Sequence, residues 1–153
     1  MPHAGGMAAV ILDFDPPQLE APAFCGDQSD LVYFLSFAYA GRFGAQHELS
    51  LLALTLQTDF GVNLKPLLTF ADREVEEAID EDTLTAAWQE AGPLADCCHA
   101  VVAAIDSGDG RLAEPLRDYP NLRDRLAELR RTARWAAHAG ARIRITYSMA
   151  EHQ

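Results

Sequence analysis

The sequence predicts a mostly helical α+β fold, a single domain of about five helices packed on a small sheet formed by N- and C-terminal strands. Three observations carry that expectation. Ala8-Ala-Val-Ile-Leu-Asp-Phe14 reads as a short buried strand, ended by Pro16-Pro17, which cannot continue a ladder. Arg142 to Ser148 alternates, with Ile143, Ile145 and Tyr147 on one face and Arg142, Arg144 and Thr146 on the other, the pattern of a half-buried strand. Between them, apolar residues recur at helical spacing. Neither strand has a hairpin partner nearby in sequence, so the two are expected to pair with each other.

With 153 residues, 49% hydrophobic and 23% charged, the chain has material for one real core. The expected domain is 8–149, with 1–7 a disordered N-terminal tail and 150–153 a C-terminal tail.

The elements follow in order. Ser29 and Asp30 are placed to cap a helix from Leu31 to about Ala40, with Gly41 and Gly44 as stops. The same apolar run is also strand-like; the cap and the small residues Ser36, Ala38, Ala40 and Gly41 favour helix. From Ala45 to Thr58, Leu49, Leu52, Ala53 and Leu56 form one stripe, while Leu51 and Leu54 point the other way. Such a helix is either central in the fold or shared with a partner. Thr69 and Asp72 approximate a capping box for an acidic helix to about Ile79. Asp82 then caps a helix with Leu84, Ala87, Trp88 and Ala91 as its buried stripe. A helix from Pro93 to Ile105 buries Leu94, Cys98, Val101 and Ile105, and residues 106–110 form a loop. The last helix, about Pro120 to Ala139, has the clearest pattern: Leu122, Leu126, Leu129, Ala133 and Ala136, stopped by Gly140.

Charge is divided along the chain. Residues 1–110 hold three basic residues against eighteen acidic ones, and residues 111–153 hold nine arginines against five acids, giving a net −11. The division favours contacts between unlike faces, within one molecule or between two. The overall charge argues against nucleic acid and anionic membrane as partners. The start of the chain lacks the basic residues of a signal peptide, and the run Leu31 to Ala40 is far short of a membrane span. Three cysteines suggest free buried thiols in a reducing compartment, and eleven arginines to one lysine suggest a GC-rich coding sequence. Both point to a bacterial cytoplasmic protein.

No specific catalytic signature is present, and no catalytic residue, metal or cofactor is expected. Cys97-Cys98-His99 looks like a ligand cluster, but neighbouring helical residues point about 100° apart and cannot converge on one tetrahedral ion. Core packing is the expected role of the two thiols. Asp13-Phe-Asp15 after an apolar strand superficially resembles the first motif of haloacid-dehalogenase-type phosphotransferases. Pro16 and Pro17 replace the residues that follow the second Asp there, so no family follows from it. His47-Glu48 lacks a second histidine, and Asp106 to Gly110 lacks the ligands of a calcium loop.

Two surface features remain. Asp72 to Asp82 holds seven acids and one Arg, expected as a solvated face or as a docking face for a basic partner. On the last helix, Asp124, Glu128, Arg131, Trp135 and His138 lie opposite the apolar stripe. Trp135 is there covered either by its own chain or by a partner. The expected function is a non-enzymatic protein–protein interaction module working as a homodimer, with Trp135, Arg131, Arg134, His138, Leu51 and Leu54 as interface candidates. The alternative is a small enzyme or ligand-binding protein with a site assembled from Asp13, Asp15, Cys25, His47 or His99. A concave pocket collecting several of these five would favour the alternative; an exposed apolar patch around Trp135 or the Leu51/Leu54 face would favour the interaction module.

Overall fold

The computed structural model describes residues 7–18 and 20–150, with the side chains of 8–18 and 20–148. Most of the two expected tails lies outside these residues, although Met7 and Ala150 themselves belong to strands. Among the described residues the chain forms β1 (Met7–Asp15), α1 (Ser29–Gly41), α2 (Glu48–Asp59), β2 (Phe70–Asp72), α3 (Ala78–Ala86), β3 (Trp88–Gln89), α4 (Ala91–Asp106), α5 (Gly110–Leu116), α6 (Leu122–His138) and β4 (Arg142–Ala150).

The terminal strands pair as expected. β1 and β4 run antiparallel, with Leu12 opposite Ile145 and Phe14 opposite Ile143. Directly opposite residues share a face, so Val10, Leu12, Phe14, Ile143, Ile145 and Tyr147 lie on one side of the ladder. Ile143 and Ile145 are fully buried there. The other side places Asp13 opposite Arg144 and Asp15 opposite Arg142.

The sheet is wider than the two terminal strands. β2 pairs parallel to β4 at Ile145–Tyr147, and β3 pairs antiparallel at Ile143–Arg144. β4 is therefore the central strand, bonded on both edges.

Those two short strands correct the expected acidic helix and the helix after it. Thr69 does not cap a helix: its Oγ1 donates to the Lys65 carbonyl, and Asp72 Oδ1 accepts from Glu74 N in a turn. The reciprocal capping box is eight residues further on, between Glu77 and Asp80, and it starts α3 at Ala78. Two backbone N–H groups, from Glu76 and Glu77, hold the Asp80 carboxyl below its usual range. No residue of α3 is buried. Leu84, Ala87, Trp88 and Ala91 are not one helical stripe, because α3 ends at Ala86 and Trp88 enters the sheet.

The other helices match their apolar stripes, except that Ile105 of α4 is only partly buried. Leu122, Leu126, Leu129, Ala133 and Ala136 of α6 are fully buried and pack along α4, which contributes Leu94, Cys98 and Val101. Each buried leucine there is worth about 1.5–3 kcal/mol against exposure. The stretch 31–40 is helix, started at Gln28 with Asp27 Oδ1 accepting from Ser29 N, rather than capped by Ser29 or Asp30. α1 meets α2 closely at Gly41, where a Cβ would fall 3.2 Å from Ser50 Cβ. Ser50 Oγ donates to the Phe37 carbonyl at 2.6 Å and fixes the crossing. α5 was not expected; Asp109 caps it, and Leu112 is its buried anchor.

Candidate functional site

The five residues of the alternative site do not converge. Asp13 Oδ2 accepts from Arg73 Nη1 at 2.9 Å and from Arg144 Nε at 3.0 Å. Asp15 accepts from Arg142 Nη2 at 3.1 Å. These carboxylates are cross-strand ion-pair partners on the outer face of the sheet, which Trp88 extends by stacking under the Arg144 guanidinium at 4.5 Å. Cys25 is exposed, not buried, in the loop before α1, where its N–H donates to Glu128 Oε1. His47 caps α2, with Nδ1 accepting from Leu49 N, and its ring stacks on Phe37 at 3.7 Å. His99 is exposed on α4. Among the described residues, no group of three or more His, Cys, Asp or Glu is placed to hold a metal ion.

The paired cysteines face the core. Cys98 is fully buried and Cys97 nearly so. Burial pushes the Cys97 thiol up to about 11, against a weaker opposing hydrogen bond from the Leu67 backbone. Burial raises Cys98 as well. Cys97 borders a cavity of about 560 Å³ between the Phe60–Pro66 segment and α4, but a thiol held protonated there is a poor nucleophile.

The interface candidates separate into three places. Trp135 is half-buried, with its ring edge-on to Phe14 at 5.8 Å, so its own β1 strand covers part of it. Arg131 Nη2 reaches the Ala23 carbonyl at 3.5 Å, on the side of α6 that faces the 20–28 loop. Leu51 and Leu54 are 49% and 54% exposed on the outer side of α2.

Leu51 and Leu54 are not isolated. They line one shallow groove with Arg42. The Arg42 guanidinium lies over the rings of Tyr39 and Phe43, at 5.1 and 5.8 Å. Those rings touch edge-on, and Phe43 is 75% exposed. The result is one face across the end of α1 and the outside of α2, made of two exposed apolar pairs joined through Arg42. Lys65 lies across the adjoining groove. Sequence reading found its α2 half from the second stripe of leucines. Tyr39 and Phe43 escaped because a helix end hides which side a residue four positions on will face.

Arg134 and His138 meet elsewhere, in a cleft of about 310 Å³ between α4 and α6 that also takes in Arg130, His99 and Asp96. The signal was present in the sequence: Arg130, Arg134 and His138 are four residues apart and therefore share a side of the helix.

No protein-family model, no curated protein and no solved structure matches the chain.

Proposed function

We propose that the protein is a non-enzymatic protein–protein interaction module that works as a homodimer through the face of Tyr39, Phe43, Leu51 and Leu54. The carrying observation is that face itself. Its four large side chains, 42 to 75% exposed, are joined through Arg42. They leave on the order of 400 Å² of apolar surface in water, the size of the largest patch on a typical monomer, which is often functional. The composition, aromatic and leucine with a stacked arginine, is that of an interface centre.

Charge complementarity favours a second copy as the occupant. Arg42 and Lys65 border the face, and neither pairs with an acid among the described residues. The same chain presents Glu74, Glu76, Glu77, Glu81 and Asp82 around exposed Val75 and Ile79, on a segment whose helix buries nothing. Apolar side chains set among acids match an apolar face rimmed by bases. The two surfaces adjoin, since Tyr39 touches Phe70 of β2 and β2 contacts α3. A twofold axis would therefore let each acidic segment cover the other protomer's face.

The scattering of Asp13, Asp15, Cys25, His47 and His99 speaks against the enzymatic alternative. Three free cysteines are in keeping with a reducing bacterial cytoplasm as the compartment, and among the described residues no helix is long and apolar enough to cross a membrane.

Sedimentation velocity of wild type and Leu54→Glu tests the reading. Wild type should show a concentration-dependent dimer, weakened by salt because part of the attraction is between exposed charges. Leu54→Glu should sediment as a folded monomer. A wild-type monomer at every concentration, or an unchanged dimer in the variant, would overturn it.

A further inference from the structure

Among the described residues, seven of the eleven arginines (Arg73, Arg111, Arg117, Arg123, Arg125, Arg142 and Arg144) form ion pairs. In a chain with 23 acids to 12 bases, partners are plentiful, and the arginines left over are informative. Arg42 stacks on aromatic rings and Arg131 reaches a backbone carbonyl. Arg130 and Arg134 have neither, and both line the cleft between α4 and α6.

Three further features make that cleft suited to an anion. Arg130 and Arg134 are one turn apart on α6, so both guanidinium forks reach the same space. His138 from the next turn and His99 from α4 add imidazole groups on the two walls. Gly92, in the first turn of α4, leaves one end of the cleft open, since even a Cβ there would meet nothing within 4 Å. Asp96 is the one acid on the lining.

We infer that this cleft binds a phosphomonoester. Two guanidinium forks, with an imidazole on each wall, match a tetrahedral dianion, whose oxygens accept from several directions at once. A volume of about 310 Å³ is more than a bare phosphate needs. The organic part of the ester would lie over the small floor of Gly92, Ala95 and Ala137, which carries no group to specify it by hydrogen bonding. The cleft is separate from the apolar face of α1 and α2, so the two sites are independent.

The test is an amide and side-chain NMR titration of the full chain with inorganic phosphate, phenyl phosphate and acetate, against sodium chloride at matched ionic strength. Phosphate and phenyl phosphate should give saturable shifts at Gly92, His99, Arg130 and Arg134, with phenyl phosphate tighter and chloride without effect. Arg134→Gln should weaken phenyl phosphate about tenfold, the loss of one charged hydrogen-bonding partner. Asp96→Asn should tighten it by removing the opposing carboxylate. Arg134 is exposed, so its variant should keep the fold; should it not, His99→Gln carries the same comparison with a smaller weakening. Shifts that do not saturate, that chloride reproduces, or that survive Arg134→Gln and His99→Gln unchanged would overturn the site. Acetate binding as tightly as phenyl phosphate would overturn the phosphomonoester assignment.

Discussion

Arg144 grips Asp13 across the β1–β4 ladder, with Nε and Nη2 each 3.0 Å from the same carboxylate oxygen. Arg73 adds a third contact to that oxygen at 2.9 Å and also donates to Thr146 Oγ1 at 2.7 Å. Thr146 in turn donates to the Ile11 carbonyl and is fully buried. One carboxylate thus joins β1, β4 and the start of the acidic segment. Asp13→Asn should lower stability by about 1–2 kcal/mol in urea unfolding, because two guanidinium groups lose a charged partner in a partly shielded network. Asp15→Asn should cost nearly nothing, since its pair with Arg142 is about half exposed on both sides. Equal effects of the two substitutions would contradict this ranking.

β4 is bonded along both edges, and its Ile143 and Ile145 are fully buried. Removing residues 142–153 should therefore abolish the cooperative thermal transition rather than trim an end. A truncated chain that melts like wild type would show that the helices fold without the sheet.

Cys25 is exposed while Cys97 and Cys98 are buried, so native alkylation should modify one thiol per chain and denatured alkylation three. The raised Cys97 value adds a pH dependence. The folded thiol keeps its proton up to about 11, whereas the unfolded one gives it up from about 9.0. Above the unfolded value the native state binds more protons, and stability falls as pH rises through that window. Below it the effect is absent. Cys97→Ala should flatten the decline between those limits, measured as urea midpoints against pH; an identical slope would assign the decline to other groups.

Trp135 fills the space above Phe14 and packs against the core. Trp135→Ala should cost about 2–4 kcal/mol of stability through lost burial and the edge-on contact. Its sedimentation should match wild type under conditions where both are folded. A stable variant that loses the dimer would move Trp135 into the interface.

The legible parts of the fold were those where one physical pattern dominated. The four-three-four-three spacing of α6 and the alternation of β4 announced both period and buried face. Residues 70–89 were misread because their periodicity is weak and their structure is set from outside. Three residues of β2 and two of β3 are strands only because β4 offers a free edge. Thr69 followed by Asp72 satisfies a capping pattern that Glu77 and Asp80 satisfy better. α5 is short, held by Asp109 and Leu112, and leaves too little repeat to detect. For the surface, Leu51 and Leu54 were visible as a second stripe. Tyr39, Phe43 and Arg42 joined them only through the bend between α1 and α2, and Arg130 joined His99 only through the packing of α4 on α6. Tertiary neighbours of this kind leave no trace in local spacing.

The most direct test of the dimer is a charge exchange. One variant carries Arg42→Glu and Lys65→Glu; the other carries Glu74→Lys, Glu76→Lys and Glu81→Lys. If each acidic segment lies on the partner's apolar face, both contacts in either pure variant place like charges together, and both contacts in the mixed pair restore opposite ones. Sedimentation velocity should then show each variant as a monomer alone and a dimer when the two are mixed at equal concentration. Dimers in both pure variants, or monomers in the mixture, would contradict the proposed pairing.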